Sequence, residues 1–247
     1  MAKTIPLGSN FYIGGYDLSS DVTTVTASGG PTPIEVTPIN ATGVARLGGV
    51  RDGQMSFTAV YDPAALLEHV ALSPLGTAQV GAMMLPQTTL GTPGCVCTGR
   101  KINYDPNRDA SGLMLFTVQV LADGTGCEWG QSLTAGKRTD TTATNGTGVD
   151  FGTGSTTFGA QFYLQSFALT GTSCTVTIQE SQNDGGADPY AAVTGGAFVA
   201  FTTVGTQRLE TSRTQTVERY LRAVTTGTFT SATFAVVAVR NDVSTLF

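Results

Sequence analysis

Histidine occurs once in this sequence, at position 69, and tryptophan once, at position 129. A lone imidazole gives a catalytic triad one candidate base and gives a multi-histidine metal site nothing to build with. Charge is scarce as well: 13% of the residues are Asp, Glu, Lys or Arg, and they sum to a formal charge of −5. That balance argues against a surface built to grip phosphates, and so against a nucleic-acid partner held by charge. No run approaches the roughly 18 apolar residues a membrane helix needs. The opening MAKTIPLGSN has one lysine and no apolar stretch of the signal-peptide kind. The expectation is a soluble chain, made and kept in a cytoplasm until assembly.

Cys95, Cys97, Cys127 and Cys174 do not supply the missing chemistry. Zinc modules pair C-x2-C elements or add histidines, and neither pattern is present. Buried thiols are the expected state, with a disulfide or a four-thiolate site as the alternatives.

What the chain does have is glycine, 31 residues of it, much threonine and 40% hydrophobic residues, a composition of strands and turns. Its 247 residues suffice for one large or two small domains, each with a core. The stretch DGQMSFTAVYDP (52–63) sets the pattern. Met55, Phe57, Ala59 and Tyr61 alternate with Gln54, Ser56 and Thr58, so a strand here buries one face and wets the other with small neutral groups. GLMLFTVQVLADG (112–124) repeats it, with Met114, Phe116, Val118 and Val120 on one side and Thr117 and Gln119 on the other. Neither wet face carries a catalytic side chain.

Around these strands, FYIGGYDLSSDVTTVTA (11–27) reads as a strand broken at Gly14-Gly15, and 78–86 and 95–106 as two more strands. Residues 28–50 contain Gly29, Gly30, Pro31, Pro33 and Asn40 and no clear period, which predicts a long loop with a short strand at 34–37. Asp62-Pro63 predicts a helix start, followed by about three turns over AALLEHVAL with Leu66 or Leu67, Val70 and Ala71 buried, and stopped by Ser73-Pro74. The first 126 residues therefore predict an antiparallel β-sandwich or part-barrel with one short α-helix. Residues 127–155, rich in Gly, Thr, Ser and Asn, read as a linker in which Trp129 fills a gap or lies partly exposed. Residues 156–247 predict a second all-β sandwich, with strands AQFYLQSFAL, CTVTIQES, FVAFTTV, VERYLRAVTT and SATFAVVAVR separated by turns such as TGTS, NDGGADP and TTGTFT.

No constellation points to catalysis. Asp184 and Asp188 have the setting of a hairpin turn and lack the spacing of a calcium loop. GTGVDFGTG has no phosphate-loop lysine. Arg219 and Arg222 have Glu210 and Glu218 close in sequence and read as strand ion pairs. Asp105 and Asp109 belong to a turn, and the glycosylation patterns at Asn40 and Asn145 mean nothing without a signal peptide. The chain predicts no enzyme, cofactor or metal.

GGVRDGQMSFTAVYDP with its short helix, GRKINYDP and GLMLFTVQVLADG together resemble the major tail tube proteins of long non-contractile-tailed bacteriophages. The segment QRLETSRTQTVERYLRAVTTGTFTSATFAVVAVR resembles the β-domain appended to many such proteins in phages of actinobacteria. The resemblance implies a virion tail protein assembled in the host cytoplasm, whose hexameric rings stack into a tube that conducts the genome. It implies a tape measure protein and tail terminator and tip proteins as partners, and no membrane insertion. A DNA conduit must not hold DNA, because each neutralised phosphate adds affinity. Gln54, Ser56, Thr58, Thr117 and Gln119 are then the lumen wall, and Gly29, Gly30, Pro31, Pro33 and Asn40 the contact between rings. The second domain would sit on the outer surface. A carbohydrate- or receptor-binding β-module of a virion is the alternative; it needs exposed aromatics converging on a concave face.

Overall fold

The computed structural model describes residues 8–64, 67–76 and 78–245. In chain order it forms β1 (Asn10–Ile13), β2 (Tyr16–Asp17), β3 (Val22–Glu35), β4 (Arg46–Val60), helix α1 (Glu68–Leu72), β5 (Val80–Leu85), β6 (Pro93–Lys101), β7 (Asp105–Arg108) and β8 (Met114–Ala122). It continues with β9 (Glu128–Ser132), β10 (Arg138–Asp140), β11 (Val149–Asp150), β12 (Ala160–Ser181), β13 (Ala191–Ala197), β14 (Gly205–Glu210) and β15 (Tyr220–Arg240). The class is the expected one: mainly β, antiparallel, with a single short helix among the described residues.

All fifteen strands belong to one hydrogen-bonded sheet along the path β13-β12-β15-β9-β6-β5-β1-β2, with β8, β4, β3 and β7 branching from β6. Three apolar clusters fill it. Phe11, Met55, Phe57, Leu72, Cys97 and Val118 form the first-half core, under α1. Phe162, Leu164, Val176, Phe234 and Val236 belong to the second-half core. Between them, Tyr12, Met83, Leu85 and Val96 pack on Tyr163, Phe167, Ala235, Val237 and Val239. The alternation of β12 and β15 explains this: successive residues point to opposite faces, and here both faces are covered. The unbroken apolar run AVVAV in β15 follows directly from that double burial.

Several expectations are corrected. Residues 28–50 are no irregular loop: β3 and β4 pair from Val22↔Ala59 to Glu35↔Arg46, and the chain reverses over 36–45. The hairpin escaped notice because its outer part is exposed on both faces and so has no hydrophobic period. The helix is five residues long and starts at Glu68 behind Leu67. Asp62 does not cap it; its Oδ1 accepts the Ala64 N–H at 2.8 Å, closing an Asx turn. Val70, expected inside, is exposed, while Glu68, Ala71 and Leu72 are buried, and Leu66 lies outside the described residues. Tyr61 and Met114, also expected in the core, are 39% and 38% exposed because they sit where their strands leave it.

In the second half, AQFYLQSFAL and CTVTIQES are one 22-residue strand, and VERYLRAVTT and SATFAVVAVR share β15. The TGTS and TGTFT segments are register shifts in that ribbon and not turns, with Gly171 and Gly227 at φ 144° and 128°. FVAFTTV is the connection between β13 and β14, tied to β12 by the Cys174↔Phe201 bridge. Residues 127–155, read as a linker, supply β9, β10 and β11, all paired with β15. Strand β9 also pairs with β6, so it continues the sheet from one half to the other.

Candidate functional site

The five residues expected on the wet faces come together on one surface. Strand β4 lies between β3 and β8, and the register puts Ser56 between Thr26 and Gln119 and Thr58 between Thr24 and Thr117. Gln54 stands between Ser28 and Leu121. Strand β7 extends the row, with Asp105 opposite Thr117. The result is a four-stranded sheet, β3-β4-β8-β7, with one face mostly of hydroxyls and amides, bordered by Leu121 and the Asp105 carboxylate. Its other face is core: Met55, Phe57, Ala59, Val118 and Val120 are all buried.

Hydrogen bonds fix this face, with Asn103 Nδ2 donating to Asp105 Oδ2 at 2.6 Å on its β7 side. Gln119 Nε2 donates to Gln54 Oε1 across the strands, and the Gln119 backbone N–H donates to Asn103 Oδ1 at 2.7 Å. Thr23 Oγ1 donates to the Thr58 carbonyl at 3.2 Å, stitching β3 to β4. Thr24, Thr26 and Ser28 were missed as members of this surface. The register shift between Val22 and Thr24 breaks the alternation that would have announced them.

Both outer strands leave an edge free. Among the described residues, β3 pairs only with β4 and β7 only with β8, so each presents unpaired backbone N–H and C=O groups on its far side. Such edges are templates for another strand.

From the sheet the β3–β4 hairpin projects as an arm. Gly29, Gly30, Pro31 and Pro33 lie in its paired part, opposite Gly53, Asp52, Arg51 and Gly48, and Asn40 lies in the exposed reversal at its tip. Ile34, Val36, Ile39, Val44, Leu47 and Val50 are all exposed along it. At its base Gly29 and Gly53 face each other, and Cys127 fits against both; a Cβ on Gly53 would stand 2.5 Å from the Cys127 nitrogen. Arg51 Nη1 reaches the buried Glu128 at 3.0 Å, and Glu128 Oε2 also accepts a hydrogen bond from the Tyr163 hydroxyl. The arm is thus tied to the second half of the molecule.

The residues considered for chemistry are dispersed. His69 Nδ1 is 2.9 Å from the Tyr104 hydroxyl, beside Glu68, whose burial raises its carboxyl above the usual range. Asp184 and Asp188 hold the turn after β12: Asp184 accepts from the Tyr190 hydroxyl and Asp188 from the Gln182 N–H, each at 2.7 Å. Asp109 closes its own turn with Ser111 and Leu113. Arg219 makes a two-point pair with Asp150, and Arg222 is held by Gln179, so neither pairs with Glu210 or Glu218 as expected. Cys95, Cys97 and Cys127 pack in the first-half core and Cys174 in the second, all as free thiols, so the fold does not gather them into a four-thiolate site. Burial pushes the Cys95 thiol up to about 12 and the Cys174 thiol up to about 11. No group of three or more metal-ligating side chains forms among the described residues.

No family model matches the chain, and no curated protein matches it. Among solved structures the chain is similar to the SPP1 Dit (gp 19.1) protein, described as a paradigm of the hub adsorption apparatus in phages infecting Gram-positive hosts. Identity is 12%, with 93% of this chain and 98% of that chain covered, and the TM-score is 0.36. A likeness of that size leaves function to the chain's own geometry.

Proposed function

We propose that this chain is a structural, non-catalytic protein of a bacteriophage tail, whose copies join into hexameric rings that stack into the tube through which the genome passes. The sheet β3-β4-β8-β7 carries the reading. It has one core face, one polar face of hydroxyls and amides bordered by Asp105, and two edges that are free among the described residues. Copies joined edge to edge through β3 and β7 would continue the sheet into a closed barrel, which removes the exposed edges. The polar face then lines the channel with Ser, Thr and Gln, which hydrate readily and neutralise no phosphate, so DNA slides without being held.

The projecting arm supports the same reading. A hairpin with six exposed apolar side chains is costly in an isolated subunit, and burying it against the next ring removes that surface from water. The tape measure protein would occupy the tube during assembly, and terminator and tip proteins its ends. Negative-stain imaging of the purified full-length protein tests the proposal. Rings or stacked tubes are the expected particles; a monodisperse monomer across a wide concentration range counts against it.

A further inference from the structure

Cys95 and Cys97 stand two residues apart in β6, hence on one face of it, and β6 pairs with β9 from Pro93↔Gln131 to Val96↔Glu128. One step further in that register puts Cys127 directly opposite Cys97, with Cys95 on the diagonal. Directly opposite residues of an antiparallel pair have Cα atoms about 4.5–5.5 Å apart, inside the roughly 4.4–6.8 Å that a disulfide bridges, whereas diagonal neighbours stand about 7–8 Å apart. Cys174 belongs to the other core. Packing alone accounts for any one of these thiols as a small apolar side chain. It does not account for two of them aligned across strands.

The two members of the pair differ. Cys97 is fully buried, with Ala82 of β5 on its other side. Cys127 is half-buried at the base of the arm, where glycines leave room for it: a Cβ on Gly53 would stand 2.9 Å from its Sγ, and one on Gly29 would stand 3.1 Å from its Cβ. The Cys97 thiol donates a hydrogen bond to the Cys127 sulfur, and this lowers the Cys127 thiol below its usual range against the opposing effect of burial. The same hydrogen bond, together with burial, raises Cys97. The more acidic sulfur is thus the one solvent reaches, with a second thiol behind it. Thiol–disulfide exchange uses that order, an accessible attacking thiolate and an adjacent resolving thiol.

We infer that Cys97 and Cys127 are a site of reversible disulfide formation, closed by exchange with a small-molecule disulfide of the glutathione type. The Cys127 thiolate attacks one sulfur of R–S–S–R, forming a mixed disulfide and releasing RS⁻. The Cys97 sulfur, giving up its proton, then attacks Cys127 Sγ, which breaks the mixed bond and releases the second RS⁻. The protons of the two cysteines end on the two released groups, so two protein thiols are oxidised to one disulfide while R–S–S–R is reduced to two R–SH. Only Cys127 has to meet the reagent, and the burial of Cys97 does not block the sequence. The link ties β6 to the segment entering β9, beneath the base of the arm and where the sheet passes from one half to the other. The inference is independent of the tube proposal: either can fail while the other stands.

The test is to incubate the folded full-length protein with oxidised glutathione, alkylate the remaining thiols and map the unreduced digest by mass spectrometry, with fragment ions separating Cys95 from Cys97. Cys97 and Cys127 should be recovered linked within one chain, alkylation should be confined to Cys95 and Cys174, and dithiothreitol should restore all four thiols. Cys97→Ser removes the resolving thiol and should stop at glutathione attached to Cys127. Cys127→Ser should slow the first reaction by about tenfold or more, because the thiols left are buried and hold their protons more tightly. Cys95→Ser should close the same link as the unaltered chain. The map of the unaltered chain decides the matter even if a serine variant fails to fold. Four free thiols after prolonged incubation, glutathione retained on Cys127 without closure, a link only between chains, or a link through Cys95 or Cys174 in place of this pair would overturn it.

Discussion

Ser56 and Phe57 are neighbours in the chain and face opposite ways in the sheet, so substitutions at the two should act on different properties. Phe57 is 1% exposed and its ring centroid is 4.5 Å from that of Phe11. Phe57→Ala should cost about 3–5 kcal/mol of stability, the usual range for a deleted core aromatic, read as a lowered midpoint in urea. Ser56→Lys should stay within about 0.5 kcal/mol, as surface changes do. Its effect belongs to transport: Ser56→Lys with Thr58→Lys in the phage should let tails assemble yet slow genome ejection at low salt, because each lysine offers a phosphate contact. Intact tails ejecting at the normal rate in low salt would remove these residues from the channel wall.

Glu68 makes a residue-scale prediction of another kind. Burial raises its carboxyl in the folded protein, the hydrogen bond from Tyr104 opposing this only in part. The folded state therefore holds the proton more tightly than the unfolded chain. This favours folding below the ordinary carboxylate range, and the advantage is lost as pH rises through the folded value. Above that range the unfolded chain ionises freely, and keeping this carboxyl buried is a burden. Glu68→Gln should raise the melting temperature relative to wild type at pH 7 and by less, or not at all, at pH 4. An equal shift at both values would mean that the charge of Glu68 is not what matters.

At the scale of elements, the sequence was most legible where one face is buried and the other wet. Strands β4 and β8 announced themselves through period-2 alternation, and the candidate wall residues of both lie on one face as that pattern implies. It failed where the pattern has no contrast. The arm is exposed on both sides, and β12 and β15 are covered on both sides along much of their length. A glycine inside a ribbon looks like a turn until its partner strand is known, which is why the bulges near Gly171 and Gly227 were read as hairpin ends. Asp-Pro marked a real change of direction, but tertiary packing starts α1 only at Glu68, where the backbone N–H meets Asp21. The arm's function is open to test: Ile39→Asp with Val44→Asp and Leu47→Asp should leave a folded subunit with unchanged circular dichroism that no longer forms long tubes. Tubes of normal length from this variant would mean that the arm makes no contact between rings.

The whole molecule is joined more tightly than a bead-and-linker reading of its composition suggests. Residues of β1, β5 and β6 share an apolar cluster with residues of β12 and β15, and β9 is hydrogen-bonded to both halves. A chain ended at Ala135 would expose Tyr12, Met83, Leu85 and Val96, so it should melt well below the full chain or precipitate; a soluble fragment with a matching melting temperature would show that this cluster adds little. None of this long-range pairing could be read from local pattern, since it joins positions far apart in the chain. The account turns on which surface faces the channel, and a cryo-electron microscopy reconstruction of the assembled protein measures that directly. It should show rings closed through the edges of β3 and β7 with Ser56, Thr58 and Thr117 on the inner wall; a map of closed rings in which those residues face outward or lie between subunits would contradict it.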